Sequence, residues 1–253
     1  MTHGQDFAGR SALVTGAASG IGAACARALA ARGASTLFLV DIDRAGLDAL
    51  DLPGCEVHRI VGSVADEGLW AGIAPVLAGL DHAVVNAGIG SGGPIASISL
   101  NEWRRVMDVN LDGAFLTLAS SLRAMEGKSG SVVVVASVTG LKPVPGIGPY
   151  GVSKAAVAHM ARIAAAESAK KGIRVNAIAP GGVDTAIWES GEDFAKSVAA
   201  IGREATIKAM AKTTPLGRFA TSEEMAGSIL YLLSDAASNI TGHVMVSDGG
   251  FTL

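Results

Sequence analysis

The 253-residue sequence predicts a three-layer α/β fold, with about seven parallel strands in a doubly wound sheet and helices on both faces. Short apolar, β-branched runs alternate with helix-like segments along its whole length. These runs are apolar on both faces, as strands buried between two helical layers must be; a half-exposed antiparallel strand would alternate instead. Glycine reaches 33 residues and hydrophobic residues 49 %, against 4 % aromatics. Small side chains in that proportion suit close helix-on-sheet packing. A chain of this length builds one large α/β domain with a complete core, so residues 1–253 are expected to form a single unit.

Taken in order, the first strand is expected at residues 12–15 (Ala-Leu-Val-Thr), ended by Gly16, and an Ala-rich helix opens near Gly20. Thr-Leu-Phe-Leu-Val at 36–40 reads as the second strand, with a helix from about Asp43. Residues 56–61 form the third strand, and a helical pattern resumes near Asp66. The fourth strand is read at 82–86, the fifth in the valine run at 132–137, the sixth at 174–179 and the seventh at 244–247. Between them, helices open near Asn101, Pro149 and Ser222. Ser99 with Glu102, and Thr221 with Glu224, have the spacing of a capping box, in which side chain and backbone cap each other reciprocally. Residues 186–218 break the rhythm as a helical insertion between the sixth and seventh strands. Ligands sit at the carboxyl ends of the strands in such sheets, so the insertion is expected to fold over a substrate as a lid.

A net charge of −3 and a pI near 5.9 argue against nucleic acid as a partner. Cys25 and Cys55 show no metal spacing, and His3, His58, His82, His159 and His243 are scattered, so no metal is expected. Unpaired thiols suit a reducing cytosol. The first ten residues have no apolar signal-peptide core, and no apolar run approaches the ~20 residues of a membrane helix. The expectation is a cytoplasmic protein with no membrane partner.

Directly after the first strand comes Thr15-Gly16-Ala17-Ala18-Ser19-Gly20-Ile21-Gly22, opening a helix. Glycines permit the tight turn and the close approach of a pyrophosphate, which the N–H groups and positive end of the helix then hold. Asp41 ends the second strand, 21 residues beyond Gly20. A carboxylate there accepts the ribose hydroxyls of NAD and repels the 2′-phosphate of NADP, and Ser19 offers no cation to grip that phosphate. NAD is therefore the expected cofactor. Capping of the following helix is a second role open to Asp41, and Arg44 is the residue that could turn toward a 2′-phosphate.

Tyr150 and Lys154 are four residues apart, on one face of a helix, and Ser137 lies thirteen residues before the tyrosine. An ammonium beside a phenol is expected to lower its pKa and so make it a usable general acid/base. Ser137 is placed to donate to a substrate oxygen, although a strand-end hydroxyl bonded to backbone would look the same.

With these features together, the chain resembles the short-chain dehydrogenase/reductase family over nearly all of its length. The resemblance rests on Thr15–Gly22, on Ser137, Tyr150 and Lys154, on Asn110 in Val-Asn-Leu, on Asn86-Ala87-Gly88, on Pro180-Gly181 followed by Thr185, and on Asp248-Gly249-Gly250. It implies a Rossmann-type sheet and reversible hydride transfer between a secondary alcohol and a ketone, with Tyr150 as acid/base. By the same resemblance Lys154 holds the cofactor ribose and Asn110 positions a water linking Lys154 to solvent. Thr185 contacts the nicotinamide carboxamide. Cofactor contacts are expected from Gly16, Ser19, Gly20, Ile21, Gly22, Asp41, Ile42, Ser63, Val64, Asn86, Ala87, Gly88, Tyr150, Lys154, Pro180, Gly181, Val183 and Thr185. Two departures stand out. Gly62-Ser63-Val64 lacks the family's usual acid near adenine, leaving Ser63 either one hydrogen bond there or a capping pair with Asp66; and Val85 precedes Asn86 where a second asparagine is usual.

Substrate contacts are expected from Ser137, Thr139, Val144, Ile147, Tyr150, Ile187 and Trp188. This mainly apolar set suits a hydrophobic or cyclic secondary alcohol or ketone; for Ile187 and Trp188, packing within the lid is the competing role. An NADP-dependent 3-oxoacyl thioester (acyl-carrier-protein) reductase is the alternative enzyme, and a nucleotide-binding regulator without catalysis is the alternative class. The helices over 101–126 and 149–171 are more apolar than one sheet-facing stripe requires, and by resemblance they imply a homotetramer.

Overall fold

The computed structural model describes residues 5–253, the side chains of Ser190 and Glu192 excepted. The readings of His3 and of the first four residues lie outside the described residues. Seven strands form one sheet: β1 (Ser11–Thr15), β2 (Thr36–Asp41), β3 (Glu56–Val61), β4 (His82–Val85), β5 (Gly130–Val135), β6 (Ile173–Pro180) and β7 (Val244–Ser247). Their order is β3-β2-β1-β4-β5-β6-β7, and every pairing is parallel. The chain winds outward from β1 in one direction and from β4 in the other. Val14 accordingly lies between Leu39 on one side and Val84 on the other, and the crevice at the carboxyl ends of β1 and β4 is the switch point where such sheets bind ligands.

Nine helices accompany the sheet among the described residues: α1 (Gly20–Ala31), α2 (Arg44–Asp48), α3 (Glu67–Leu77), α4 (Leu100–Met107), α5 (Gly113–Ala124), α6 (Gly148–Ser168), α7 (Glu192–Ile201), α8 (Arg203–Ala211) and α9 (Ser222–Leu233). The two-residue period of a strand sends alternate side chains to opposite layers. Val14 joins Leu29 of α1 and Ile229 of α9 on one face. Leu13 joins Leu118 of α5 and Val157 of α6 on the other. Each fully buried leucine of this kind contributes about 1.5–3 kcal/mol, so both layers hold the sheet.

Local chemistry explains most boundaries. At α9 the capping box is complete: Thr221 Oγ1 accepts from Glu224 N–H at 3.2 Å and Glu224 Oε2 accepts from Thr221 N–H at 2.9 Å. At α4 only half of it forms. Ser99 accepts from Glu102 N–H at 3.1 Å, while the Glu102 carboxylate turns to Arg105 at 2.7 Å. Asp66, not Ser63, caps α3 by accepting from Gly68 N–H at 2.8 Å. The helix read over 101–126 is in fact two, joined by a π-helical turn at Asp108–Asp112. Widened turns of this type are uncommon and gather at functional sites; here the turn carries Asn110. The insertion after β6 consists of a 3₁₀ turn (Ala186–Ser190), α7 and α8, followed by the segment leading to α9. No helix among the described residues is long and apolar enough to cross a membrane.

Candidate active site

The loop from Thr15 to Gly22 is held from beneath by β4. Thr15 Oγ1 accepts from Asn86 N–H at 3.0 Å and Ala87 N–H at 3.2 Å, and Asn86 Nδ2 donates to Thr15 O at 2.9 Å and Gly16 O at 3.2 Å. Gly16 and Gly20 have φ of +65° and +52°, a region side chains disfavour. At Gly22 a Cβ would stand 2.0 Å from Gly16 O, so the loop closes only around glycine. Ser19 starts α1 with extended backbone and makes no side-chain cap, and the first turn holds no acid. Its hydroxyl and the N–H groups at the helix start, with Ile21 in the first turn, are thus at the disposal of an anion. A Cβ on Gly20 would lie 3.2 Å from Thr185 Cγ2, which places Thr185 directly across the crevice.

Asp41 is tied to that loop. Its Oδ2 accepts from Ala18 N–H at 2.9 Å and its Oδ1 from Asp43 N–H at 3.0 Å. The cap of α2 is Asp43, which accepts from Gly46 N–H at 3.1 Å, so the capping role considered for Asp41 belongs to its neighbour. Each Asp41 oxygen keeps lone pairs for a further donor. Ile42 beside it is 74 % exposed. Ser63 Oγ accepts from Ala65 N–H at 3.2 Å, and Val64 is buried against Gly113 of α5, its carbonyl accepting from Trp70 Nε1 at 2.8 Å. The Val64 side chain thereby packs against α5. A chain with an extended nucleotide crevice of this design fits a dinucleotide: the glycine cradle would be filled by any Cβ, and a carboxylate stands where ribose hydroxyls need acceptors.

The sequence-distant members of the catalytic set converge where β5 ends and α6 begins. Gly140 explains how: a Cβ there would meet Ala155 N at 2.5 Å, so the 3₁₀ turn Val138–Gly140 lies directly on the α6 backbone. Ser137 is buried, with its hydroxyl beside the Tyr150 phenol. Lys154 is 4 % exposed, and its Nζ donates to Val135 O at 2.8 Å while standing 5.7 Å from the centroid of the Tyr150 ring. Asn110 is 1 % exposed. Its Oδ1 accepts from Ile89 N–H at 2.8 Å and its Nδ2 donates to Ile89 O at 3.0 Å and Ser153 Oγ at 3.2 Å. The π turn thereby clamps the segment after Gly88 against α6; a Cβ on Gly88 would lie 3.4 Å from Lys154 Nζ.

Electrostatically the site departs from the expectation of a phenol made acidic by its amine. Burial raises the Tyr150 phenol, and the Ser137 hydrogen bond opposes that rise. Lys154 turns one of its three N–H groups to the Val135 carbonyl, and burial brings the ammonium itself down to about 8. Desolvation disfavours charge on either group.

On the substrate side, Gly93 bridges Ile147 and its N–H donates to Gly146 O, so the segments after β4 and before α6 run together as one wall. Val144 and Ile147 are partly exposed on it. Pro180 ends β6, and a Cβ on Gly181 would come 2.7 Å from Asp248 Cα, which accounts for the glycine. Val183 is buried and its carbonyl accepts from Trp188 Nε1 at 2.7 Å. Trp188 stacks on Phe219 at 5.4 Å and leans on Phe194 at 6.4 Å, an aromatic cluster that ties the insertion to the residue just after it. Ile187 is partly exposed beside it. Arg203 pairs with Asp184 at 2.6 Å and Glu189 at 3.7 Å, tying α8 to the start of the insertion. Thr15, Ser153 and the Val135 carbonyl carry weight that sequence reasoning did not assign; Thr15 opens the glycine motif and was the one with a signal. Among the described residues no group of three or more His, Cys, Asp or Glu could hold a metal ion.

Over residues 16–252 the chain matches the family described as Enoyl-(Acyl carrier protein) reductase. It is 39 % identical to 2,5-dichloro-2,5-cyclohexadiene-1,4-diol dehydrogenase of Sphingobium indicum, over 98 % of this chain and 99 % of the relative. It is also 39 % identical to cis-4-hydroxycyclohexanecarboxylate dehydrogenase of Sinomonas cyclohexanicum, again over 98 % and 99 %. Among solved structures, levodione reductase superposes with a TM-score of 0.87 at 34 % identity, covering 96 % of this chain and 98 % of the other. A parallel sheet wound from a glycine cradle, with likeness to reductases and dehydrogenases along its full length, makes the protein an oxidoreductase that uses a nicotinamide cofactor: the chain belongs to the short-chain dehydrogenase/reductase family.

Proposed function

We propose that this protein is an NAD-dependent dehydrogenase that interconverts a secondary alcohol on an alicyclic ring and the corresponding ketone. The observation that carries this reading is the convergence of Ser137, Tyr150 and Lys154 at the crevice whose other side is the glycine cradle. Two relatives named for dehydrogenation of ring alcohols, and a structural neighbour named levodione reductase, support the substrate class. So do the apolar candidate walls at Val144, Ile147 and Ile187, with Trp188 behind them.

In oxidation Ser137 donates to the substrate oxygen and Tyr150 takes the hydroxyl proton; in reduction Tyr150 returns it. Nicotinamide, when bound, accepts or supplies the hydride and in its oxidised form brings a positive charge to the site. Lys154 holds the ribose and adds its own charge beneath the phenol. Asn110 fixes the floor of the site and lines the route by which Lys154 exchanges protons with water. Glycines 16, 20 and 22, with Ser19 and Ile21, hold the pyrophosphate, and Asn86, Ala87 and Gly88 line the crevice floor. Ile42 and Ser63 flank adenine. Pro180, Gly181, Val183 and Thr185 border the nicotinamide end.

Asp41, anchored by Ala18 and Asp43 N–H groups, supports NAD over NADP, because a 2′-phosphate would meet a fixed carboxylate. The segment 186–218 serves as a lid within a single catalytic unit of 253 residues. Leu100, Phe115, Val152 and Ile163 on α4, α5 and α6 are exposed apolar residues, and they support a homotetramer; the proposed compartment is the cytoplasm. The carrier-protein reductase reading draws on the matched family's description and on a 36 % identical 3-oxoacyl-[acyl-carrier-protein] reductase of Thermotoga maritima; of Arg104 and Arg105, the two cations on α4 that could dock a carrier protein, Arg105 is already paired with Glu102 at 2.7 Å.

The test is NADH formation across a panel of alicyclic and acyclic secondary alcohols, with NADP in parallel. Cyclic alcohols with NAD should give the highest kcat/KM, and Tyr150→Phe should bind NADH normally while losing nearly all turnover. A Tyr150→Phe protein with wild-type turnover sinks the mechanism, and a preference for NADP sinks the cofactor assignment.

A further inference from the structure

Thr139 is aimed at a residue of the catalytic set. Its backbone N–H donates to Ser137 Oγ at 3.2 Å, and its Oγ1 donates to the same oxygen at 3.0 Å. A serine hydroxyl has two acceptor positions and one proton. With Thr139 Oγ1 as the donor, both acceptor positions are filled and the Ser137 proton is left to point outward, to the side where Tyr150 stands and the substrate oxygen must arrive. Gly151 holds the arrangement from behind: a Cβ there would stand 3.1 Å from Thr139 O. Thr139 is itself partly exposed whereas Ser137 is buried.

We propose that Thr139 is a positioning residue: its hydroxyl orients and polarises the Ser137 O–H toward Tyr150 and the substrate oxygen, and it does not serve chiefly as a wall of the substrate pocket. A donor behind Ser137 strengthens the bond Ser137 makes in front, because consecutive hydrogen bonds polarise one another. That favours the ionised phenol, the form which removes a proton in alcohol oxidation. No covalent proton transfer runs through Thr139. The inference rests on Tyr150 being the acid/base, and its test separates the two ideas.

Thr139→Val keeps the size and the backbone N–H and loses the hydroxyl; Thr139→Ser restores it. With cyclohexanol as probe, Thr139→Val should lower kcat about fivefold, within the range of one net hydrogen bond, and move the acid limb of kcat/KM upward by about half a pH unit. Thr139→Ser should stay near wild type. In a Ser137→Ala background the valine change should cost less than roughly twofold, since a residue acting through Ser137 has nothing left to orient. Equal losses in both backgrounds, or a raised KM with kcat and the pH limb unmoved, overturn the proposal. A readout free of turnover guards it if the enzyme reading fails. The chain has 2 tyrosines, so in a Tyr231→Phe protein the phenolate absorbance after a rapid pH jump reports Tyr150 alone. Thr139→Val should raise that titration midpoint and Thr139→Ser should not; an unmoved midpoint refutes the positioning role whatever the reaction.

Discussion

Replacing Lys154 by methionine should abolish activity and make the protein more stable at neutral pH. Lys154 is 4 % exposed, its one hydrogen bond goes to the Val135 carbonyl at 2.8 Å, and burial brings its ammonium from 10.5 down to about 8. At ~1.4 kcal/mol per pH unit, holding that charge costs the folded state about 3 kcal/mol. Methionine fills similar volume without charge, and the lost bond to Val135 returns about 1 kcal/mol of the gain. The net expectation at pH 7 is about 2 kcal/mol in favour of Lys154→Met. The sign with pH is fixed by linkage. Below about 8 both folded and unfolded protein carry the proton and the full cost is present. Between about 8 and 10.5 the unfolded chain binds more protons than the folded one, so wild-type stability rises with pH and the advantage of the variant shrinks. Urea denaturation of both proteins, at equal protomer concentration and at pH 7 and pH 10, should show the gap narrowing by about 2 kcal/mol. A variant less stable at pH 7, or a gap indifferent to pH, refutes the reasoning. A residue proposed to hold the cofactor is then one the fold would be better without, a common bargain at active sites.

Other perturbations follow the same physics. Asp41→Ala removes the acceptor held by Ala18 and Asp43; kcat/KM with NAD should fall at least about tenfold while the value with NADP holds or rises, and an unchanged ratio would reject the role of the carboxylate. His82, buried and bonded to Ser131 at 2.8 Å, is brought by burial down to about 4. Between 6.5 and about 4 the unfolded chain therefore binds the extra proton, and stability should fall by about 3 kcal/mol as pH drops through that window. His82→Asn should flatten this part of the acid limb in denaturation against pH.

Much was legible before folding. The alternation of apolar runs with helical segments determined the layer architecture, because the inner strands are buried on both faces and carry few polar positions; the edge strand β3, with Glu56, His58 and Arg59, is the exception. Thr15–Gly22 followed by Asp41, and the one-face spacing of Tyr150 and Lys154, marked the crevice, because backbone approach and helical period are short-range properties. The tertiary structure decided matters that depend on contacts far apart in sequence. The π turn at Asp108–Asp112 carries Asn110 to Ile89 and Ser153 together, partners distant in sequence. Capping pairs of equal appearance diverged: both glutamates pair with an arginine, but Glu102 gives its carboxylate to Arg105 while Glu224 meets Arg218 and Thr221 N–H together. Trp188 went to Phe219 and Phe194, partners no local pattern names. Above all, spacing placed an amine near a phenol, but only the packed site, where water is excluded and Lys154 turns to Val135, set which way each proton affinity moves.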